Sequence, residues 1–473
     1  MAIKRIEVMI KVLLDEIKSP FNGEILGQVP IMTLGDLDLV LERAEKSSFS
    51  WRRTPSHIRS EILMKAAAIT NQNLEELAQT ISGETGKSIT EARAESARCA
   101  EIIKLSAFEG SQIYGSTLPL DANKGTGLEK IGFTVRQPVG VVAAITPFNY
   151  PALLVLHKVA PAIAAGNSVV LKPARTTPLS ALLLAKYFNE AGLPENILQV
   201  ITGSGSTLGD AIVGDSRIRK VSFTGSTDIG KQIASKAGIK KLSLELGSSC
   251  PVIILDDADI DYATDAIAIG GYVNAGQVCI SVQRVLVDKK VAEQFLTTLK
   301  PKVENIMIGD PKNIKTKVGT LISQKEAERV ERSILNAVKS GARLLTGGER
   351  DGALIKPAIV YDVNPKSPFA QNELFGPAIS VSNFDSLSEA IALSNDSIYG
   401  LGAGIFTKNI NAAIQSAREI DSGNIHVNWT PLWRADLMPY GGLKFSGIGK
   451  EGIRSTVSEM TEEKTIVLHG QAW

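Results

Sequence analysis

Between Gly140 and Asp256 the chain alternates between short β-branched apolar runs and helix-patterned stretches. The runs are Val141–Ile145, Ser168–Leu171, Leu198–Ile201, Val221–Phe223, Leu242–Leu246 and Val252–Leu255. Stretches such as Leu179–Ala191 and Ile229–Ala237 separate several of them. Strands apolar along nearly their whole length must be buried on both faces, so the pattern predicts a parallel sheet covered by helices. A second α/β region follows, with runs at Val282–Val287, Ala358–Val360, Ile379–Val381, Ala403–Phe406 and Ile425–Val427. Helices are expected near Ala292–Leu299 and Lys325–Ser340, and upstream from about Leu34 to Gln112, where apolar residues recur at helical spacing. Two α/β regions in one chain put the chemistry in the crevice between them. Leu128–Arg136 and Lys464–Leu468 alternate and can pair outside either core, as an oligomerisation ribbon or as an ordinary hairpin.

Composition narrows the partners. Fifty-one Lys and Arg against fifty Asp and Glu leave a formal charge of +1, which gives no global attraction to nucleic acid or an acidic membrane. Cys99, Cys250 and Cys279 form no even framework, and the four histidines (His57, His157, His426, His469) show no metal-ligand spacing. Met1–Leu14 is too short and too charged to span a bilayer, and no small-residue cleavage site follows. Tyr150–Leu171, the longest apolar stretch, carries His157 and Lys158 and reads as a buried helix running into a strand. A soluble cytoplasmic protein without metal is expected.

Several familiar motifs nearly match. Gly447-Ile-Gly449-Lys-Glu-Gly452 fits G-x-G-x-x-G but has no strand feeding it, so it reads as a loop. After Gly203-x-Gly205 the third glycine comes one residue late, at Gly209. Gly225–Lys231 resembles a P-loop, but Gln232 stands where Ser or Thr would hold magnesium. No serine sits in G-x-S-x-G.

Three segments carry reactive groups beside small residues. Asn149, in Thr146-Pro-Phe148-Asn149-Tyr-Pro after a strand, offers a neutral amide N–H where α/β sheets put ligands. Glu245 ends an apolar strand before Gly247, and partial desolvation should raise its pKa toward that of a general base. Cys279, in Asn274-Ala-Gly276-Gln277-Val-Cys279-Ile-Ser281, sits in a polar, glycine-containing turn that suits a nucleophile. Each has an ordinary alternative: packing for a cysteine, solvation for a strand-end Glu, turn formation for an Asn. Cys99 and Cys250, without polar turns, read as packing. Phe223-Thr224-Gly225-Ser226, at a strand-to-helix junction, can hold a pyrophosphate on backbone N–H groups.

Together these segments resemble the aldehyde dehydrogenase superfamily, and the likeness runs from Ser19-Pro-Phe-Asn-Gly-Glu to Lys464-Thr465. The matching pieces stand in the family's order. They include Thr146–Pro151, Leu171-Lys172-Pro-Ala, Phe223–Ser226, Glu245-Leu-Gly and Gly276-Gln-Val-Cys279, followed by Glu373-Leu-Phe375-Gly-Pro and Pro439-Tyr-Gly-Gly with Ser446-Gly. The resemblance implies an α/β fold with a Rossmann-like cofactor domain (1–117 and 138–246), a catalytic domain (247–442) and a small β ribbon (118–137 and 458–473). It implies attack by Cys279 as thiolate on a small aldehyde, an oxyanion held by the Asn149 amide and the Cys279 N–H, and thioester hydrolysis by water that Glu245 activates. NADP or NAD is the implied cofactor, contacted by Lys172 and Glu373 at its riboses, by Gly225 and Ser226 at its pyrophosphate and by Phe375 near its nicotinamide, with Thr146 and Phe148 also among its contacts. A homodimer or homotetramer is implied as well.

Four departures stand out. Arg175 replaces a frequent Glu, so it either pairs with a 2′-phosphate of NADP or points to solvent beside NAD. Ser248-Ser249 follow Gly247 where Gly-Lys is usual, and Phe148 replaces a commoner Trp. Arg454 aligns where some members carry a second glutamate, which leaves Glu245 to act alone. Arg434, His157 and Lys104 are the candidate substrate residues, and they favour an aldehyde with an anionic tail; pairing of Arg434 with Asp436 is the ordinary alternative. The wording around Cys279 and Arg434 looks most like the lactaldehyde, non-phosphorylating glyceraldehyde-3-phosphate and sulfolactaldehyde branch. Val278 stands where phosphate-handling members often have Arg, so a short hydroxylated or anionic aldehyde ranks first and a phosphorylated or sulfonated one second. A thiol esterase without cofactor, or a structural protein, is the alternative of another class.

Overall fold

The computed structural model describes residues 13–470, so the expectation for Met1–Leu14 falls, up to residue 12, outside the described residues. β1 (Leu14–Lys18) and β2 (Ile25–Pro30) form an antiparallel hairpin, and four helices follow, Leu34–Trp51, Ser56–Gln72, Leu74–Thr85 and Ile89–Ser111. β3 (Thr117–Leu118) and β4 (Lys130–Pro138) precede the first large sheet.

That sheet contains β5 (Val141–Ile145), β6 (Ser168–Lys172), β7 (Leu198–Val200), β8 (Ile218–Thr224) and β9 (Lys241–Glu245). All five are parallel in the order β9-β8-β5-β6-β7, so the strand order reverses beside β5. Apolar residues of β5 divide between two cores: Val142 and Ala144 face the long helices, while Val141 and Ala143 face Leu37, Leu41 and Ile212. Burial on both faces is what the unbroken apolar strands predicted.

The second sheet starts at β10 (Cys250–Ile254) and β11 (Val282–Asp288). It continues with β12 (Arg343–Thr346) and, after a minor hairpin of β13 (Arg350–Asp351) and β14 (Leu354–Ile355), with β15 (Ala358–Tyr361), β16 (Ala378–Phe384), β17 (Ala403–Phe406) and β18 (Ile425–Val427). Its order is β12-β15-β16-β11-β10-β17-β18, parallel except for β12. β19 (Gly447–Ile448) then returns to the first sheet and pairs antiparallel with β9, Gly447 opposite Glu245. The Gly447–Gly452 segment is therefore partly a strand, not purely the loop expected. β20 (Thr461–His469) pairs with β4 over nine residues, joining the two alternating segments into a ribbon with β3.

The apolar stretch after Tyr150 is a helix, Leu153–Ala164, followed by β6. No side chain of its own caps that helix. Instead Glu95, from helix Ile89–Ser111, accepts hydrogen bonds from the Ala152 and Leu153 N–H groups at 3.1 and 3.0 Å. A carboxylate at a helix N-terminus satisfies orphan donors and complements the dipole. Glu95 is itself held by the buried Lys87 ammonium at 2.5 Å. The helix fixed this way carries His157 and Lys158 toward the cleft. Among the described residues no helix is long and apolar enough to cross a membrane.

Candidate active site

The carboxyl ends of the first sheet gather the expected cofactor residues. Thr146 and Phe148 follow β5, Lys172 ends β6, Gly225 and Ser226 follow β8, and Glu245 ends β9. The hydroxyls of Thr146 and Thr224 are buried without a hydrogen-bond partner, as groups awaiting a polar ligand would be. Ser226 opens helix Thr227–Lys236 without a side-chain cap, so its first-turn amides suit a pyrophosphate. A side chain at Gly225 would put Cβ 2.4 Å from the Phe223 ring, so a larger residue in that turn would have to displace the ring. The Lys172 ammonium is mostly buried and reaches only the Pro173 carbonyl at 3.3 Å; burial, then Arg175, pulls its pKa down. An incompletely satisfied cation beside open amides fits the sugar and phosphates of a dinucleotide. Arg175 is exposed but not free, since Asp15 of β1 accepts from its Nε and Nη2 at 2.5 and 3.1 Å.

Glu373 and Phe375 come to the same cleft from the second region. Glu373 accepts from the Ser248 N–H at 3.0 Å, and a Cβ on Gly247 would meet its other oxygen at 2.8 Å. Burial pushes the Glu373 carboxyl up to about 7. Phe375 meets Phe148 edge to face with ring centres 5.9 Å apart. Ser248 and Ser249, one of the departures, thus serve as a donor to Glu373 and, through the Ser249 hydroxyl, to the Ala370 carbonyl at 2.9 Å.

Cys279 sits in a turn held in left-handed conformation. Asn274, Ala275 and Gly276 have φ of +53°, +54° and +69°. A Cβ on Gly276 would lie 2.1 Å from the Gly376 carbonyl oxygen, so the close approach of the Phe375-Gly376-Pro377 segment requires glycine there. The two non-glycine residues carry strain that the surroundings must offset. The Asn274 side-chain amide donates to the Asn149 carbonyl at 3.1 Å, and the Asn274 backbone N–H donates to the Glu91 carboxylate at 2.8 Å. Gln277 donates to the Asn274 carbonyl at 3.1 Å and accepts from the Ile322 N–H at 2.9 Å. Asn149 donates to the Gln277 carbonyl at 2.8 Å, which fixes its amide beside the nucleophile turn and leaves its second N–H for an incoming oxygen. Burial pushes the Cys279 thiol up to about 12; a hydrogen bond with Tyr440 opposes this, while Glu373, Glu245 and Cys250 add to it.

Glu245 is buried, and its Oε2 has no partner. Burial first, then the nearby Glu451 carboxylate, raises its pKa well above the ordinary value, with Arg434, Lys158 and Lys450 opposing. Glu451 was missed by the sequence reading. It follows β19 and lies 2.5 Å from the buried Lys158 ammonium and 3.4 Å from Arg434. Arg454, the residue aligned with a second glutamate, is largely exposed on helix Ile453–Glu459 and pairs outward with Glu109 at 2.9 Å. Glu245 consequently does not stand alone: the second carboxylate is three residues earlier than expected.

The three substrate candidates separate. Arg434 enters the cleft, its Cζ 4.0 Å from the centre of the Tyr440 ring and its Nε buried without a partner. Its ion pair is with Glu451, not Asp436. Asp436 is taken by Arg98 at 2.5 Å, with His157 Nε2 at 3.5 Å. Burial, aided by Arg434, pulls His157 down to about 4, so it is neutral at pH 7 and its two ring nitrogens have no formed hydrogen bond. Lys104 does not join them. It is half exposed one turn from Glu101 and pairs with it at 2.7 Å, a solvated-face arrangement, whereas Arg98 on the same helix reaches the cluster. Among the described residues no metal-ligating group is assembled.

Comparison with known proteins gives three findings. The model of the aldehyde dehydrogenase family matches residues 15–466. The chain is 43% identical over 457 residues to 3-sulfolactaldehyde dehydrogenase of Priestia aryabhattai, covering 96% of this chain and 94% of the relative. It is 38% identical to lactaldehyde dehydrogenase of Methanococcus aeolicus, covering 96% and 97%. Among solved structures it is similar to glyceraldehyde-3-phosphate dehydrogenase from Methanocaldococcus jannaschii complexed with NADP, with a TM-score of 0.93, 37% identity and coverage of 97% and 99%.

Proposed function

Because the chain belongs to the aldehyde dehydrogenase family, we propose that it oxidises a short hydroxylated or anionic aldehyde of the lactaldehyde type to its acid on Cys279. The observation that carries this reading is a buried carboxylate with an unpartnered oxygen, Glu245, in the same cleft as a cysteine whose turn is tied to a side-chain amide. In the first step the Cys279 sulfur adds to the aldehyde carbon and the carbonyl π pair moves to oxygen. The Asn149 amide and the Cys279 N–H donate to that oxygen, each such donor commonly worth about 3 kcal/mol of barrier. The bound nicotinamide of NADP or NAD supplies the acceptor for the hydride that leaves the tetrahedral carbon. Glu245 takes a proton from water, the hydroxide so formed adds to the Cys279 thioester, and the acid departs as the C–S bond breaks.

Lys172, Glu373, Gly225, Ser226, Thr146, Phe148 and Phe375 are the residues we assign to the cofactor. Arg175 is assigned to a 2′-phosphate in competition with Asp15. Domain limits at 1–117 with 138–246, 247–442, and 118–137 with 458–473 accompany the proposal. So does a homo-oligomer joined through the ribbon, which is supported by exposed Phe108 and Tyr114 beside a 440 Å³ cavity at its base. Three free cysteines fit a cytoplasmic setting.

A second reading, a phosphorylated or sulfonated aldehyde, is favoured by the unpartnered Arg434 Nε and by the sulfolactaldehyde relative. Lactaldehyde, glyceraldehyde 3-phosphate, succinate semialdehyde and sulfolactaldehyde, each with NAD and NADP and followed at 340 nm, test both. Absorbance should rise with at least one aldehyde, and Cys279→Ser should abolish the rise. No rise with any aldehyde alongside intact nitrophenyl ester cleavage would mean a thiol esterase instead.

A further inference from the structure

Tyr440 enters the reacting centre from the Pro439–Gly442 segment, to which the reading above gives no chemical role. It is buried, and its hydroxyl lies 3.3 Å from the Cys279 sulfur, the single hydrogen-bond partner of that hydroxyl among the described residues. Its backbone is clamped on both sides by Glu451: the Tyr440 N–H donates to the Glu451 carbonyl at 2.9 Å, and the Glu451 N–H donates back at 2.6 Å. The guanidinium of Arg434 covers its ring face at 4.0 Å. A cation against an aromatic face draws electron density from the ring and makes its hydroxyl a stronger donor. The geometry points to Tyr440 as a catalytic residue that donates its O–H to the Cys279 sulfur and stabilises the thiolate in a cleft that otherwise opposes it.

The inference rests on Cys279 being the nucleophile. Its surroundings make such a donor necessary. The thiol is desolvated and faces the Glu373 and Glu245 carboxylates and the Cys250 thiol, each of which disfavours a negative sulfur. The phenol faces Cys279, Glu245 and Arg434, and burial raises it well above its ordinary value, so it keeps its proton. A protonated phenol beside a thiolate can only donate. Before the addition step the thiol releases its proton to water, and the lone pair left on sulfur then forms the C–S bond. The carbonyl π pair moves to oxygen. Tyr440 neither gains nor loses a proton; its hydrogen bond weakens as the negative charge passes from sulfur to that oxygen.

Tyr440→Phe removes the hydroxyl and keeps the ring under Arg434, so the test isolates the O–H. The full-length protein is alkylated with iodoacetamide between pH 7 and 9.5, and modification of Cys279 is read by peptide mass spectrometry. A hydrogen bond to a charged acceptor predicts a thiol pKa raised by about one unit in the variant. Ten-fold less thiolate, partly offset by the greater nucleophilicity of the freer sulfur, makes alkylation about 3-fold slower at each pH. The first hydride burst should slow by a similar factor while cofactor affinity and later turnover hold. Identical alkylation profiles in the two proteins would overturn the inference. Should Tyr440→Phe fail to fold, replacement of tyrosine by 3-fluorotyrosine, a more acidic phenol, should speed alkylation of Cys279, and an unchanged rate would overturn it equally. Cys279→Ser separates the two layers: if that variant keeps dehydrogenase activity, the nucleophile assignment fails, whatever the hydroxyl does to the sulfur.

Discussion

Glu245→Gln should divide the reaction at the thioester. The substitution keeps the shape of the side chain at the end of β9 and removes the group assigned to deprotonate water. Nothing else in the cleft is placed to take over. Glu451 is held by Lys158 at 2.5 Å and by Arg434 at 3.4 Å, and Glu373 accepts from the Ser248 N–H at 3.0 Å. Loss of a positioned general base typically costs a factor of 10² to 10⁴, or about 3–5 kcal/mol of barrier. Stopped-flow absorbance at 340 nm, with saturating aldehyde and cofactor, measures both phases in one trace. The first turnover should still give about one reduced nicotinamide per active site, and the following steady rate should fall by about 10²- to 10⁴-fold. The pH dependence adds a second signature. A carboxyl raised by burial and by Glu451 ionises above the usual carboxylate range, so the steady rate of the unmodified protein should climb with pH through that higher range. The variant should lack this limb. A vanished burst with unchanged cofactor affinity would refute the role, because it would make Glu245 necessary before the thioester exists.

Glu451→Gln should move the same limb to lower pH, because the negative charge second only to burial in raising Glu245 is gone while Arg434 and Lys158 remain to lower it; a limb that stays put in steady-state pH profiles would deny the coupling. Glu451→Ala should cost about 3–5 kcal/mol of stability, since it strands the fully buried Lys158 ammonium, and thermal unfolding at neutral pH will show whether the loss is that large. Asp15→Asn should lower KM for NADP about 2- to 5-fold and leave KM for NAD nearly unchanged, the worth of one exposed ion pair released from Arg175; equal changes for both cofactors would place Arg175 away from the 2′-phosphate. Arg434→Met should raise KM for glyceraldehyde 3-phosphate or sulfolactaldehyde by about 10-fold or more relative to propanal, and a uniform change across tails would assign Arg434 to Glu451 alone.

The strands and their burial were legible because they depend on local periodicity: Val141–Ile145 and Val282–Val287 carry their own signal. Residues at strand ends were legible for a related reason, since Asn149 and Glu245 are placed by the strands that precede them. Residues delivered by irregular chain were not. Arg454 and Glu451 differ by three positions, and spacing alone cannot tell which turns inward. What decides is the pairing of β19 with β9, Ile448 opposite Leu244, which carries the following residues back under the sheet before the helix begins at Ile453. Lys104 and Arg98 share a helix, and only the position of Asp436, 338 residues away from Arg98 in sequence, selects between them. The hydroxyl of Tyr440 was visible in the motif, but its meeting with a sulfur 161 residues away was not.

The two buried carboxylates of the cleft are chemically alike and electrostatically opposite. Glu451 is drawn below the ordinary range by Lys158 and Arg434 despite its burial, whereas Glu245 has no cation in contact and is raised. At neutral pH the pair therefore holds its negative charge on Glu451 and is prone to carry a proton on Glu245. Environments that push two like groups apart assign their roles. Glu451 is the fixed charge, and Glu245 is the group whose proton comes and goes. A base that rests partly protonated works only if its proton can leave before water is activated. Arg434, Lys158 and Lys450 favour that loss and the Glu451 charge opposes it, so the balance among them sets the pH at which the base is ready. This makes the catalytic competence of Glu245 depend on a residue contributed by the last strand to join the first sheet. The first sheet, completed by β19, thus brings together the base and the charge that tunes it, while the second sheet brings the sulfur. Neither half has chemistry without the other.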